Sequence, residues 1–158
     1  FSGGFMAIYL VQHGQAVSEE NDPQRPLAAI GIKETSHIAS IAEYYMVPAE
    51  QIIHSDKLRA RQTAEIFANK LKPVHGLLQS TEMAPESDIL PIIEKIRNTD
   101  NLMLIGHLPF LQKLLSFMLT GSSDHQIMKF QYSGIICLEK DGKSDRWQIK
   151  WTLSRHIS

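Results

Sequence analysis

Short apolar runs alternate with segments of helical spacing along most of the chain. Residues 7–11 (AIYLV), 51–54 and 101–105 (NLMLI) have the length and continuous apolar character of strands buried on both faces of a parallel sheet. Apolar positions three and four apart predict helices over 32–46, from a cap at Ser55 to Pro73, and over 87–97 and 110–118. Residues 74–85 follow neither pattern.

The last third of the chain has a strand-like pattern instead. Residues 134–138 and 147–153 predict two strands, and Asp141-Gly142 between them is a typical hairpin turn. Together with the earlier alternation, this predicts an α/β fold. We expect a three-layer sandwich with a mostly parallel central sheet flanked by helices and an antiparallel hairpin at one edge.

Length and composition limit the class of protein. The 158 residues fit one domain, which we place at 6–158, and we interpret residues 1–5 (FSGGF), before the first methionine, as an expression remnant. A formal net charge of -1 argues against a nucleic-acid partner bound through general phosphate neutralisation. A single cysteine excludes an internal disulfide. The sequence contains no run of about 18 apolar residues, so we expect no membrane partner. We expect a cytoplasmic protein.

Polar residues with catalytic potential follow three of the predicted strands. Gln12, His13 and Gly14 come after the first, and Gly106-His107 after the third. Arg59 lies about one helical turn beyond the second strand. In open α/β sheets the ligand binds beyond the carboxyl ends of the strands, so we expect two histidines and an arginine to meet at one edge.

Four motifs around these residues resemble the signatures of the histidine phosphatase, or phosphoglycerate mutase-like, superfamily. Residues 11–14 (VQHG) resemble its Arg-His-Gly motif, and 25–31 (RPLAAIG) its Pro-Leu-Thr-x-x-Gly element. Residues 55–64 (SDKLRARQTA) resemble Ser-Pro-x-x-Arg-Ala-x-Gln-Thr-Ala, and 105–109 (IGHLP) match Gly-His-x-Pro. The motifs occur in the family order and cover the chain from about residue 8 to 153, with forms most similar to the SixA-like bacterial phosphohistidine phosphatases.

The resemblance implies a covalent mechanism. His13 would be the nucleophile that takes the phosphoryl group onto a ring nitrogen, and Gly14 would allow the tight turn after it. Arg59 would bind phosphate oxygens in a bidentate fork, and His107, if protonated, would add positive charge. The implied phosphate-binding set also includes Gln12 and Arg25. No metal or other cofactor is expected, because fixed cations would stabilise the transferred group.

Gln12 departs from the family pattern, which has arginine directly before the nucleophile. Glutamine can donate a hydrogen bond to phosphate but brings no charge. One interpretation is a weakened but active enzyme in which Arg25 substitutes for the arginine. A second is a phosphate- or phosphopeptide-binding protein without turnover. A third is an engineered or sequence-level change.

A general acid is the least defined part of the predicted site. Glu82, Glu86 and Asp88 lie in the region from which mutase-like relatives supply a carboxylate, and we prefer Glu82 as the proton donor. The alternative is a solvated loop carboxylate. A phosphohistidine substrate would relax the need for this acid, because its P–N bond is labile.

The leading functional hypothesis is a metal-independent phosphatase that acts on phosphohistidine in a signalling protein. The alternatives are a phosphatase of small phosphate esters and a catalytically weakened phosphate-binding protein. Inorganic phosphate or sulfate should bind in the same pocket. A phosphoglycerate mutase is disfavoured, because the segment between the motifs is short.

Overall fold

Strands and helices alternate through most of the chain. The computed structural model describes residues 6–140, 142–143 and 146–156. Within them the elements are β1 (Met6–Gln12), α1 (Ala29–Tyr44), β2 (Gln51–Ser55), α2 (Leu58–Leu71), β3 (Leu77–Ser80), α3 (Leu90–Arg97), β4 (Leu102–Gly106), α4 (Phe110–Thr120), β5 (Ile135–Lys140) and β6 (Trp147–Leu153).

The six strands form one sheet in the order β3-β2-β4-β1-β5-β6. Neighbours from β3 to β1 pair in parallel, whereas β5 pairs antiparallel with both β1 and β6. The predicted α/β fold, with a mostly parallel sheet and an antiparallel hairpin at one edge, is therefore confirmed. Asp141 of the predicted turn, like the segment 1–5, lies outside the described residues.

Both faces of the central strands are buried, which explains their continuous apolar sequences. On β1, Ile8 and Leu10 pack into one core with α3 and α4. Tyr9 and Val11 point to the opposite face and pack with α1 and α2. Because an apolar core covers each face of β1, the strand has no position for a polar side chain before its last residue, Gln12.

Three helices begin at other residues than predicted. Helix α1 begins at Ala29, three residues earlier than predicted, and α3 begins at Leu90 rather than at residue 87. The predicted helix cap at Ser55 is wrong, because Ser55 is the last residue of β2 and α2 begins at Leu58. The edge strand β3 lies in the segment that gave no pattern.

In the described part of the chain, no helix is long and apolar enough to cross a membrane.

Candidate active site

The pairing of β1 with β4 brings the two predicted histidines together. Gln12 is in register with Gly106, so His13 and His107 each follow the end of a neighbouring parallel strand. The backbone N–H of His13 donates to the carbonyl of Gly106 at 3.0 Å. The two imidazole rings then lie 5.0 Å apart between centroids. Strand register alone therefore places these side chains at one edge of the sheet.

His13 has a defined tautomer. Its Nδ1 lies 2.7 Å from the carbonyl oxygen of Gly14, and because a carbonyl only accepts, the ring proton is on Nδ1. This leaves Nε2 with a free lone pair. Burial, and then the charges of Arg59 and Arg25, lower the pKa of His13 to about 4. The ring is therefore neutral at pH 7, as a nitrogen nucleophile requires.

Arg59 projects from the first turn of α2 towards that lone pair. Its Nε–H donates to Nε2 of His13 at 3.4 Å. Thr63, one turn further, donates its hydroxyl to the carbonyl of Arg59 at 2.8 Å and accepts the backbone N–H of Gly14 at 2.9 Å. Helix α2 is thus connected to the turn after the nucleophile, which fixes the position of Arg59 relative to His13.

Gly14 occupies a position with no room for a side chain. A Cβ at this residue would lie 2.6 Å from Oγ1 of Thr35 and 3.1 Å from Oγ of Ser133. These two hydroxyls also contact each other at 2.6 Å. The glycine after the nucleophile therefore allows α1 and the segment before β5 to pack directly against the turn.

His107 is buried and lies with Nε2 2.5 Å from the hydroxyl oxygen of Ser55. Burial, and then the neighbouring His13 and Arg59, lower the pKa of His107 to about 3. At neutral pH the ring is uncharged in the free protein. The positive charge expected from a protonated His107 thus requires a bound anion beside it.

Arg25 and Gln12 differ in how they are held. Gln12 ends β1 half-buried, and its carbonyl accepts the backbone N–H of Ser133 at 2.9 Å. Arg25 has a left-handed backbone (φ 49°), and its Nε–H donates to the carbonyl of Val17 at 3.1 Å. Its charge contributes to lowering the pKa of His13, Arg59 and His107. Arg25 therefore lies in electrostatic range of the whole group.

An open cavity of about 480 Å³ adjoins Arg59. Its lining is mostly charged and consists of Glu19, Pro23, Gln24, Arg25, Asp56, Lys57, Leu58 and Arg59. A second cavity, of about 530 Å³, is largely apolar, lies against α1, β5 and β6, and contains none of the predicted site residues. Of these two cavities, the charged one is better suited to an anionic substrate.

The three candidate proton donors follow β3, the edge strand of the parallel part of the sheet. Glu82 is exposed just after β3, and its backbone N–H donates to the hydroxyl of Ser80 at 3.0 Å. Glu86 contacts Lys113 at 3.8 Å, and Asp88 accepts the backbone N–H of Leu90 at 3.1 Å. The charged cavity is lined by neither Glu82 nor the two site histidines, and the role of Glu82 as an acid stays a prediction.

Several contacts of the site were not predicted. Tyr132, before β5, places its ring 5.8 Å from that of His13, and Ser55 and Thr63 bind site residues through their hydroxyls. Thr63 lies in the Gln-Thr-Ala part of the second motif, so the sequence contained a signal for its place in the site. Across residues 6–140, 142–143 and 146–156, no group of three or more His, Cys, Asp or Glu side chains could hold a metal ion.

Comparison with known proteins gives both sequence relatives and solved structures. No family model matches the chain. An uncharacterized protein of Picosynechococcus is 30% identical over 142 residues, covering 84% of each chain. The phosphohistidine phosphatase SixA of Escherichia coli is 23% identical over 150 residues, covering 91% of this chain and 93% of its own.

Solved structures share the fold. A protein histidine phosphatase SixA complexed with tungstate has a TM-score of 0.81 at 23% identity, covering 94% of this chain and 97% of its own. The α-ribazole phosphatase of Shigella flexneri has a TM-score of 0.75 at 12% identity, covering 97% and 98%.

Fold, motifs and relatives together define the class: the chain belongs to the histidine phosphatase superfamily. Within that superfamily it is SixA-like.

Proposed function

We propose that this protein is a metal-independent phosphatase with a covalent intermediate on His13, and that its substrate is phosphohistidine in a signalling protein. The observation that carries the proposal is the state of His13. Its Nδ1–H donates to the Gly14 carbonyl, and its unprotonated Nε2 accepts the Nε–H of Arg59 at 3.4 Å. A neutral imidazole beside a fixed cation suits attack on a phosphoryl group.

The proposed reaction has two displacements. In the first, Nε2 of His13 forms a bond to phosphorus while the bond to the leaving imidazole breaks, and that imidazole takes up a proton from solvent. In the second, water forms the new P–O bond, the P–Nε2 bond breaks, both protons of water leave with the released H2PO4−, and His13 returns to its neutral form. Arg59 would hold the phosphoryl oxygens in both steps.

Two features favour phosphohistidine over an ester. An alkoxide leaving group needs a proton donor, and the preferred candidate, Glu82, is an exposed loop residue. Imidazole leaves without such a donor once it is protonated. The relative from E. coli is itself named a phosphohistidine phosphatase.

A second candidate function follows from Gln12. One guanidinium is absent where the family motif places two around the phosphate, which supports a phosphate-binding protein with little turnover. Loss of one preorganised donor typically lowers kcat by about 10²–10³. Both candidates use the same residues, and only turnover separates them.

The deciding experiment is to trap the intermediate. The protein is mixed with a radiolabelled phosphohistidine peptide, quenched in alkali, and examined for label on His13. We expect acid-labile, base-stable label in the natural protein and in His37→Ala, since His37 is an exposed residue of α1. His13→Ala should carry none. Absence of label and turnover, with phosphate still bound, would establish the binding protein instead.

A further inference from the structure

Ser55 and His107 form a buried pair at the ends of adjacent strands β2 and β4. Ser55 is fully buried, and its Oγ lies 2.5 Å from Nε2 of His107. The backbone N–H of Lys57 donates to the same oxygen at 3.3 Å. On the other side of the ring, Nδ1 of His107 is buried with no hydrogen-bond partner among the described residues.

Counting hydrogens shows that this pair is incomplete. With the pKa of His107 at about 3, the neutral ring carries one hydrogen at pH 7. If Ser55 donates to Nε2, that hydrogen is on Nδ1, which lacks an acceptor in the described protein. If the ring hydrogen is on Nε2 and donates to Ser55, the hydroxyl hydrogen of Ser55 no longer has Nε2 as its acceptor. In both tautomers one buried hydrogen lacks a protein acceptor, which is an unfavourable arrangement.

We infer that Ser55 is a positioning residue for His107, and that the pair donates its surplus hydrogen to an oxygen of the phosphoryl group bound beside His13. This inference rests on the proposed phosphoryl transfer. The two imidazole rings are 5.0 Å apart between centroids, so a phosphoryl group on Nε2 of His13 would bring an anionic acceptor beside His107. The alternative is a purely structural role, in which the Ser55 hydroxyl only stabilises the end of β2.

Kinetics on matched serine variants tests the inference. Ser55→Ala should lower kcat with a small phosphoramidate by about tenfold or more, with KM changed less, because the donor acts mainly in the transition state. Ser55→Thr keeps the hydroxyl and should retain most of the activity. Ser116→Ala is the control, since Ser116 is equally buried on α4 but bonds only the segment that follows that helix. It should lose stability and keep kcat. Equal kcat for Ser55→Ala and Ser116→Ala would overturn the inference.

A spectroscopic measurement keeps the test independent of turnover. Nitrogen-15 chemical shifts of the His107 ring report which nitrogen carries hydrogen, with and without inorganic phosphate or vanadate. We expect the anion to shift these resonances in the natural protein and Ser55→Ala to change that response. If the protein has no phosphatase activity, the shifts still decide the role of Ser55. An identical anion response in Ser55→Ala would refute it even in an active enzyme.

Discussion

Gln12 and Arg25 are the two positions at which the site would gain or lose positive charge relative to the family motif. Arg25 already acts electrostatically on His13, Arg59 and His107, although its Nε–H is bound to the carbonyl of Val17. The terminal nitrogens of Arg25 are the part of the side chain that could reach the anion. Whether the natural protein lacks a donor or has replaced it therefore depends on these two residues together.

We predict that Gln12→Arg raises the rate of phosphoryl transfer to His13, by up to about 10²–10³. The new guanidinium would stand at the end of β1, next to the nucleophile. Single-turnover labelling of His13 measures this step without product release. A rate unchanged by the substitution would mean that charge at position 12 does not affect the transition state.

Arg25→Ala completes a double-mutant cycle with Gln12→Arg. If Arg25 substitutes for the missing arginine, its loss should lower the rate at least tenfold in the natural protein, as for the loss of one preorganised donor. The same loss should be smaller when Gln12→Arg is present. Additive effects would show that the two side chains act separately. No effect from either change would contradict the substitution hypothesis.

His107 should make the folded state sensitive to acid. Burial and nearby cations lower its pKa from 6.5 to about 3, so between these values the unfolded chain binds a proton that the folded chain does not. Stability is therefore lost as the pH falls through this window, by at most about 1.4 kcal/mol per pH unit for this residue. His107→Gln should flatten the dependence of the unfolding free energy on pH, measured by urea denaturation from pH 7 to 4. An unchanged slope would mean that His107 titrates normally.

At the level of elements, α1 and the turn after β1 fit together through a glycine. A Cβ at Gly31 would lie 2.1 Å from the carbonyl oxygen of Gln15, which also accepts the backbone N–H of Ala28 at 2.9 Å. Backbone atoms leave little freedom to relax such an overlap. The first turn of α1 therefore requires glycine to approach the segment that follows His13 and Gly14.

We predict that Gly31→Ala destabilises the protein by about 3 kcal/mol and lowers activity as well, because the displaced segment follows the nucleophile. Urea unfolding and steady-state kinetics measure the two effects. Gly121→Ala is the control: its Cβ would meet nothing within 4 Å, so only the left-handed backbone (φ 82°) contributes, about 1 kcal/mol. Similar losses in both variants would argue against the close contact.

The sequence could predict the buried central strands because both of their faces are apolar, which produces uninterrupted runs. It could not predict β3, where Leu77 and Leu78 are partly exposed at the sheet edge and no run develops. The assignment of Ser55 as a helix cap failed for a different reason. Its partner, His107, lies 52 residues away, and a local capping rule cannot anticipate a long-range hydrogen bond.

For the whole molecule, the sequence predicted which strand ends would meet, because parallel strands present their carboxyl ends at one edge. His13, Arg59 and His107 were grouped in this way and by family resemblance. Tyr132 and Ser133 could not be placed, since they enter from an irregular segment before β5 whose path depends on tertiary packing. A parallel bridge between Gln12 and Tyr132 holds this segment against the end of β1, and the backbone N–H of Ser133 donates to the carbonyl of Gln12 at 2.9 Å.

The charged cavity gives the molecule an open approach to Arg59, whose Nε–H donates to Nε2 of His13 at 3.4 Å. Its lining includes the exposed residues Glu19, Asp56 and Lys57, so a macromolecule can contact it without entering an enclosed site. We predict that kcat/KM for phosphohistidine on a folded phosphocarrier domain is at least as high as for free phosphohistidine. Stopped-flow assays with both substrates, and with a short phosphohistidine peptide, measure the ratio.

Chelator should leave all three rates unchanged, because the proposed chemistry relies on side-chain cations rather than on a metal. The comparison of substrates also distinguishes a phosphatase of protein phosphohistidine from the remaining alternative, a phosphatase of small esters. A phosphatase of small esters, as the α-ribazole phosphatase is by name, would hydrolyse a small substrate and leave the folded phosphocarrier domain intact. That result would exclude a protein substrate. It would leave the role of His13 intact, because label trapped from a small phosphoramidate requires the nucleophile and does not depend on how open the site is.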